Sequence, residues 1–245
     1  MAERLIENNI AFLDLAGNAY IKLPSTYIQI LGNKLAKPLQ QQKPSLLFQK
    51  TGLKLIFLFL SVQKSINWPY RKIASHAGVA IGSVGKIIKE LKEQNYIVQL
   101  DKKKYQFIDN NKLIDRWVIA YPEQLRPKLL IGKYKLKQPN NKISFPEETK
   151  IYWSGERATQ ELYPSQIKPT LITIYTPEHP NRLILHNNLM PTPQGNIEIL
   201  EVFWNFIEGE TVVPHLLIYA DLLATGDPRN IEEAQKFRDM FLSHE

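Results

Sequence analysis

The sequence predicts an α+β fold in three consecutive parts, on three observations. Short strand-prone segments parted by glycine and asparagine lie near the start and again late in the chain, whereas the middle reads as amphipathic helices. One central segment, SHAGVAIGSVGKIIKELKEQNYIV (75–98), places Val84, Ile87, Ile88 and Leu91 at helical spacing, after a glycine turn and ahead of a strand-like run. The charge also changes sign along the chain. Residues 1–49 carry 5 basic and 3 acidic groups, residues 50–142 carry 19 and 6, and residues 143–245 carry 7 and 15. These shifts divide the 245 residues into a β-rich segment (1–49), a basic helical module with its connector (50–140) and an acidic α+β domain (141–245).

Taken in order, the first part alternates β-prone runs (20–23, 27–31) with turn signals at Ala16-Gly17-Asn18 and Gly32-Asn33, which suit a small sheet or hairpin. KPLQQQKPS (37–45) is a polar loop between two prolines. GLKLIFLFLSVQK (52–64) is apolar on nearly every side and reads as a buried helix. Pro69 then opens a second helix, YRKIASHA (70–77), which stops at Gly78. The third helix carries the aliphatic stripe on one face and Gly82, Ser83, Lys86, Lys89, Glu90 and Glu93 on the other. YIVQL (96–100) and YQFI (105–108) read as two strands joined by the basic tip Asp101-Lys102-Lys103-Lys104. Helix, helix, turn, helix and hairpin is the order of a winged helix-turn-helix. A helical connector (111–125) and the basic run RPKLLIGKYKLKQ (126–138) lead to a break at Pro139-Asn140-Asn141. Beyond it TLITIYT (170–176), RLILHN (182–187) and NIEILEVFW (196–204) read as strands, and HLLIYADLLA (215–224) and NIEEAQKFRDMFL (230–242) as helices.

Composition is that of a globular protein, with 44% hydrophobic and 22% charged residues. The longest apolar run, LIFLFL (55–60), is far short of the roughly 20 residues that cross a bilayer, and no export signal opens the chain, so a cytoplasmic protein without a membrane role is expected. The absence of cysteine removes disulfides, thiolate–zinc sites and cysteine nucleophiles together.

The glycines of the central segment could cradle phosphate or make a turn. A phosphate loop needs Gly at position 80 and a hydroxyl at 87; Ala80 and Ile87 stand there. The dinucleotide pattern fails too, because Gly78, Gly82 and Gly85 are spaced four and three apart with no strand ahead of them. The helix-turn-helix pattern fits at Ala74, small where the helices cross, at Gly78, and at Val79 and Val84 between the helices. A DNA reader of this kind would present Ser83, Lys86 and Lys89 to the major groove and hold phosphates with Tyr70, Arg71 and Lys72. Lys102, Lys103 and Lys104 at the wing tip would reach the backbone or minor groove, and a dimer would match a two-fold operator.

For catalysis the signals are thin. His76, His179, His186, His215 and His244 show no metal-ligand spacing, and no cofactor is expected. Glu148 and Lys150 form half of a metal-nuclease pattern for which Asp14 could supply the second carboxylate; this is the alternative reading, a metal-dependent nucleic-acid-processing enzyme that uses the winged helix for delivery. DLLATGDPRN (221–230) is the most unusual polar stretch of the second half. It reads as a helix stop at Gly226 and a restart capped by Asp227, with Asp221, Asp227 and Arg229 as a candidate functional surface.

FLDLAGNAYI, AGVAIGSVGKIIKEL, WSGERATQELYPSQIKPTLITIYT, GNIEILEVFW and YADLLATGDPRNIEEAQ follow one another in an order that resembles the AbiEi-like transcriptional regulators, the antitoxins of type IV toxin–antitoxin systems. The likeness runs from Phe12 to Phe241. It implies a bacterial regulator without enzymatic activity that binds operator DNA and represses its own operon. Its cognate toxin would be nucleotidyltransferase-like, countered without obligatory direct contact.

Overall fold

A computed structural model of the chain describes residues 2–34, 45–101, 104–138, 143–145, 149–164, 168–206 and 209–242. The chain divides into two compact units, Met1–Pro44 and Ser45–Glu245. In the first, helix α1 (Ala2–Glu7) precedes strands β1 (Phe12–Leu13), β2 (Ala19–Leu23) and β3 (Thr26–Ile30), which form an antiparallel sheet in that order. The Asp14 carboxylate accepts from the Asn18 amide at 2.8 Å and ties the turn between β1 and β2.

The second unit begins with α2 (Lys50–Ser61), whose Leu53, Leu55, Ile56, Phe57 and Leu58 are all fully buried. A 3-10 turn (Ser65–Asn67) leads to α3 (Tyr70–Ala77) and α4 (Ile81–Glu93), and then to a two-stranded hairpin, β4 (Ile97–Asp101) and β5 (Lys104–Phe107). The connector is α5 (Asn110–Gln124), capped by the Asp109 carboxylate on the Lys112 amide at 3.1 Å, followed by the single turn α6 (Arg126–Leu129). Trp117 of α5 donates its indole N–H to the Leu53 carbonyl of α2 at 2.8 Å, which satisfies a buried donor and joins the two helices.

A mixed five-stranded sheet follows, in the order β7 (Tyr152–Ser154), β8 (Ile172–Thr176), β10 (Ile197–Glu201), β6 (Leu130–Leu136), β9 (Leu189–Pro191). β8 and β10 run parallel, while β6 is antiparallel to β10. β6 comes from the basic run after the connector, so the sheet draws one strand from before residue 140. The break at Pro139-Asn140-Asn141 lies outside the described residues. Residues 182–187, expected as a strand, are helical instead: α8 spans Asn181–His186, with Leu183 buried and Leu185 exposed. Helices α7 (Gly155–Leu162), α9 (His215–Ala224) and α10 (Pro228–Phe241) complete the unit. α9 is buried from Leu216 to Leu222, and one continuous core extends from Leu47 to Leu242. No helix among the described residues is long and apolar enough to cross a membrane.

Candidate nucleic-acid interface

The central helices are set by local chemistry. Gly78 follows α3 with φ +61°, and its neighbour's amide, Val79 N–H, reaches back to the Ala74 carbonyl at 3.0 Å, the bond that closes a Schellman turn. A left-handed residue at this point is costly with a Cβ. α4 then turns Val84, Ile87, Ile88 and Leu91 into the core. Lys86 and Lys89 remain exposed and Ser83 is half-buried. Lys89 makes an exposed i,i+4 pair with Glu93 at 3.6 Å, a contact too weakly held to compete with a phosphate. Among the described residues neither Arg71 nor Lys86 makes an ion pair.

The start of α3 is built as a rigid shoulder. Lys72 Nζ lies 3.9 Å from the centre of the Trp68 ring, and His76, held through Nδ1 to the Lys72 carbonyl at 2.9 Å, meets the same ring edge-on at 5.1 Å. Tyr70 packs on Gly85, where an added Cβ would sit 3.3 Å from its ring. Gly85 therefore serves the contact between α3 and α4; around Gly82 the space is open. The Tyr70 hydroxyl is pushed up from its usual pKa by burial, then by Tyr105, its hydrogen-bond partner on β5. Asn67 fixes the hairpin further, donating to the Tyr105 carbonyl at 3.1 Å and accepting the Tyr105 amide at 2.6 Å. Lys104 is exposed at the tip of β5; Lys102 and Lys103 lie outside the described residues.

The acidic half grips this module from behind. After β10, Asn205 donates its amide to the His76 carbonyl at 2.9 Å and its side chain to the Ser75 carbonyl at 3.1 Å. Phe203, Trp204 and Phe206 surround Phe57 of α2 with ring centres 4.9 to 5.7 Å away. These contacts hold the last turn of α3 and leave Lys86 and Lys89 exposed.

The second-half residues fall into two places. Asp221 is only 2% exposed and sits within a buried polar network. Its Oδ1 accepts from Arg126 Nε at 2.9 Å and Tyr121 Oη at 3.1 Å, and its Oδ2 from Ser154 Oγ at 2.6 Å and Tyr175 Oη at 3.0 Å. Arg126 also bonds Glu198 Oε2 at 2.6 Å, and Lys133 Nζ takes Glu198 Oε1 at 2.7 Å. Burial raises the pKa of both tyrosines, and the Asp221 charge adds to it, so their hydroxyls stay protonated donors. Burial would raise Glu198, but Arg126 and Lys133 outweigh it and hold the carboxylate below its usual range. Sequence reading missed Arg126, Glu198, Tyr121 and Tyr175. The signal was a carboxylate inside the apolar run of α9, which needs a buried partner.

Asp227 and Arg229 lie at the other end of the turn. The Asp227 carboxylate caps α10 on the Arg229 amide at 2.8 Å, and Arg229 pairs with buried Glu156 at 3.2 Å. Asn230 donates to the same Glu156 oxygen at 2.7 Å. Of the imagined nuclease triplet, Asp14 sits in the first unit holding its own turn, Lys150 is exposed, and Glu148 lies outside the described residues. No group of three or more acidic or histidine side chains among the described residues could hold a metal ion.

A family model described as "Transcriptional regulator, AbiEi antitoxin, Type IV TA system" matches residues 106–243. No curated protein and no solved structure matches the chain.

Proposed function

The chain belongs to the AbiEi family of transcriptional regulators, the antitoxins of type IV toxin–antitoxin systems, and on that premise we propose that it is a sequence-specific DNA-binding repressor of its own operon. In this reading residues 50–140 form a winged helix-turn-helix with its helical connector. α4 enters the major groove with Ser83, Lys86 and Lys89 toward the bases, while Tyr70, Arg71 and Lys72 at the start of α3 hold phosphates. Lys104, with Lys102 and Lys103 next to it in sequence, reaches the backbone or the minor groove. Phosphate contacts supply affinity and register; the few side chains facing the bases supply discrimination. The acidic half, which the family match covers, carries the antitoxin role against a nucleotidyltransferase-like toxin, without a need to grip it.

The observation that supports this reading most directly is the two-sidedness of α4. Its aliphatic stripe is buried while its lysine-bearing side stays uncovered by the acidic half. A mobility-shift titration with the DNA upstream of the gene tests it. The wild type shifts the upstream fragment and Lys86→Glu with Lys89→Glu does not; unchanged binding by the double variant overturns the assignment. In the same tubes, plasmid incubated with magnesium stays intact; cleavage would favour a nucleic-acid-processing enzyme.

A further inference from the structure

Against the last turn of α3 the second unit opens a cleft of about 500 Å³, a size that holds small ligands. His76 lines it from α3, Lys150 and Tyr152 from the start of β7, and Trp204 and Phe206 from the chain leaving β10. Asn205 is also in the wall, but its backbone amide and side chain are already spent on the His76 and Ser75 carbonyls.

Three polar groups of the lining have no partner. Lys150 makes no ion pair among the described residues. His76 directs Nδ1 to the Lys72 carbonyl, which leaves its Nε2 open. Trp204 is only 3% exposed, yet its indole N–H meets no acceptor among the described residues. The buried indole of Trp117, by contrast, donates to the Leu53 carbonyl at 2.8 Å. A buried donor without an acceptor is uncommon in a folded chain and marks a place that receives one.

We propose that this cleft binds a small organic acid built on a flat ring, an aromatic carboxylate. Charge selects the acid. The lining holds a lysine, a histidine and an indole N–H but no carboxylate; Glu178 and Glu201, next in sequence to Pro177 and Val202 of the wall, stand outside it. An anion beside His76 Nε2 favours the protonated ring, which then donates from both nitrogens. A carboxylate presents two acceptor oxygens to these donors, whereas a neutral ligand leaves the ammonium group unmatched. Shape selects the ring. Tyr152, Trp204 and Phe206 supply aromatic surfaces to the cleft, and the first two stand 5.8 Å apart at 58°, an opening edge against which a planar ring packs. A compact anion such as inorganic phosphate would satisfy the charge and leave these rings uncovered.

The ligand would span from α3 to β7 and the exit of β10, the same joint that Asn205 ties, and so add to the hold of the acidic half on α3. The site does not rest on the DNA reading and is measured without DNA, so either can fail alone.

Titration calorimetry of the full chain with naphthoate, with uncharged naphthamide and with inorganic phosphate tests it. The expected result is a Kd for naphthoate of about 1 mM or tighter, with the amide and phosphate about tenfold weaker or more. Lys150→Gln, at an exposed position that the fold does not need, weakens naphthoate about tenfold. Lys137→Gln, at an exposed lysine just past β6, leaves it unchanged. Absence of naphthoate binding overturns the proposal, as do equal affinities for the acid and either comparison ligand, or equal effects of the two lysine variants. A second readout uses the indole N–H signals of the four tryptophans in nitrogen–proton correlation spectra. Saturating naphthoate moves the Trp204 signal and leaves that of Trp117 in place; binding that does not move Trp204 puts the ligand elsewhere and overturns the site.

Discussion

Arg126 Nε meets Asp221 Oδ1 at 2.9 Å, with both side chains largely removed from solvent, and this ion pair fastens the start of α6, just past the connector helix, to the centre of α9. Desolvation works against the Arg126 charge, yet Asp221, the tyrosines and Glu198 outweigh it and raise the guanidinium pKa. Asp221→Ala removes the acceptor that Arg126, Ser154, Tyr121 and Tyr175 share, leaving Arg126 with Glu198 alone and the two tyrosines with each other, and is expected to cost about 3 kcal/mol. Urea unfolding followed by circular dichroism measures it; a loss below 1 kcal/mol, on the order of a surface pair, would contradict this account of the network.

Gly78 marks the turn between α3 and α4. Gly78→Ala places a Cβ on a left-handed residue and is expected to lower stability by about 1–2 kcal/mol, read as a drop in Tm. The nearest neighbour to that Cβ is the Phe203 carbonyl at 3.4 Å, so strain in the backbone rather than a clash accounts for the loss.

Acid should weaken the fold in two stages. Burial depresses the His215 pKa, only partly offset by Glu210, so the unfolded chain binds the proton first as pH falls below about 6.5 and stability declines from there. Glu198 is depressed as well; its contribution is complete above its usual value near 4.5 and disappears as pH falls through the lower folded value. Melting curves from pH 7.5 to 2 check both. His215→Phe is expected to flatten the upper stage alone.

If Arg71 and Lys72 hold phosphates as proposed, binding is steeply salt-dependent. Each of the two replaced by glutamine is expected to reduce the log–log slope against salt by about one unit. Fluorescence anisotropy at several salt concentrations gives the slopes. A slope unaltered in both variants would place the duplex elsewhere on the molecule.

Legibility in the sequence followed the range of the interaction. The stripe on α4 and the stop at Gly78 rest on spacing and on one residue's backbone, and both stand in the structure where the pattern put them. RLILHN misled because three consecutive aliphatic residues fit either period; Pro180 just ahead of α8 was the unused hint. In β6, Tyr134 and Leu136 alternate with Lys133 and Lys135, a period of two that the abundance of lysine disguised as a basic run. The Asp221 network was out of reach, since Arg126 lies 95 residues away in the chain and nothing local names a carboxylate's distant partner.

The bonds from Asn205 to the last turn of α3 carry a genetic consequence. If α4 reads operator DNA as proposed, slackening β10 or its exit would misalign that helix without altering any residue at the duplex. A selection for derepressed mutants should therefore recover substitutions around Phe203, Trp204 and Asn205 alongside those in α4, and these alleles, unlike the lysine changes, should be temperature-sensitive.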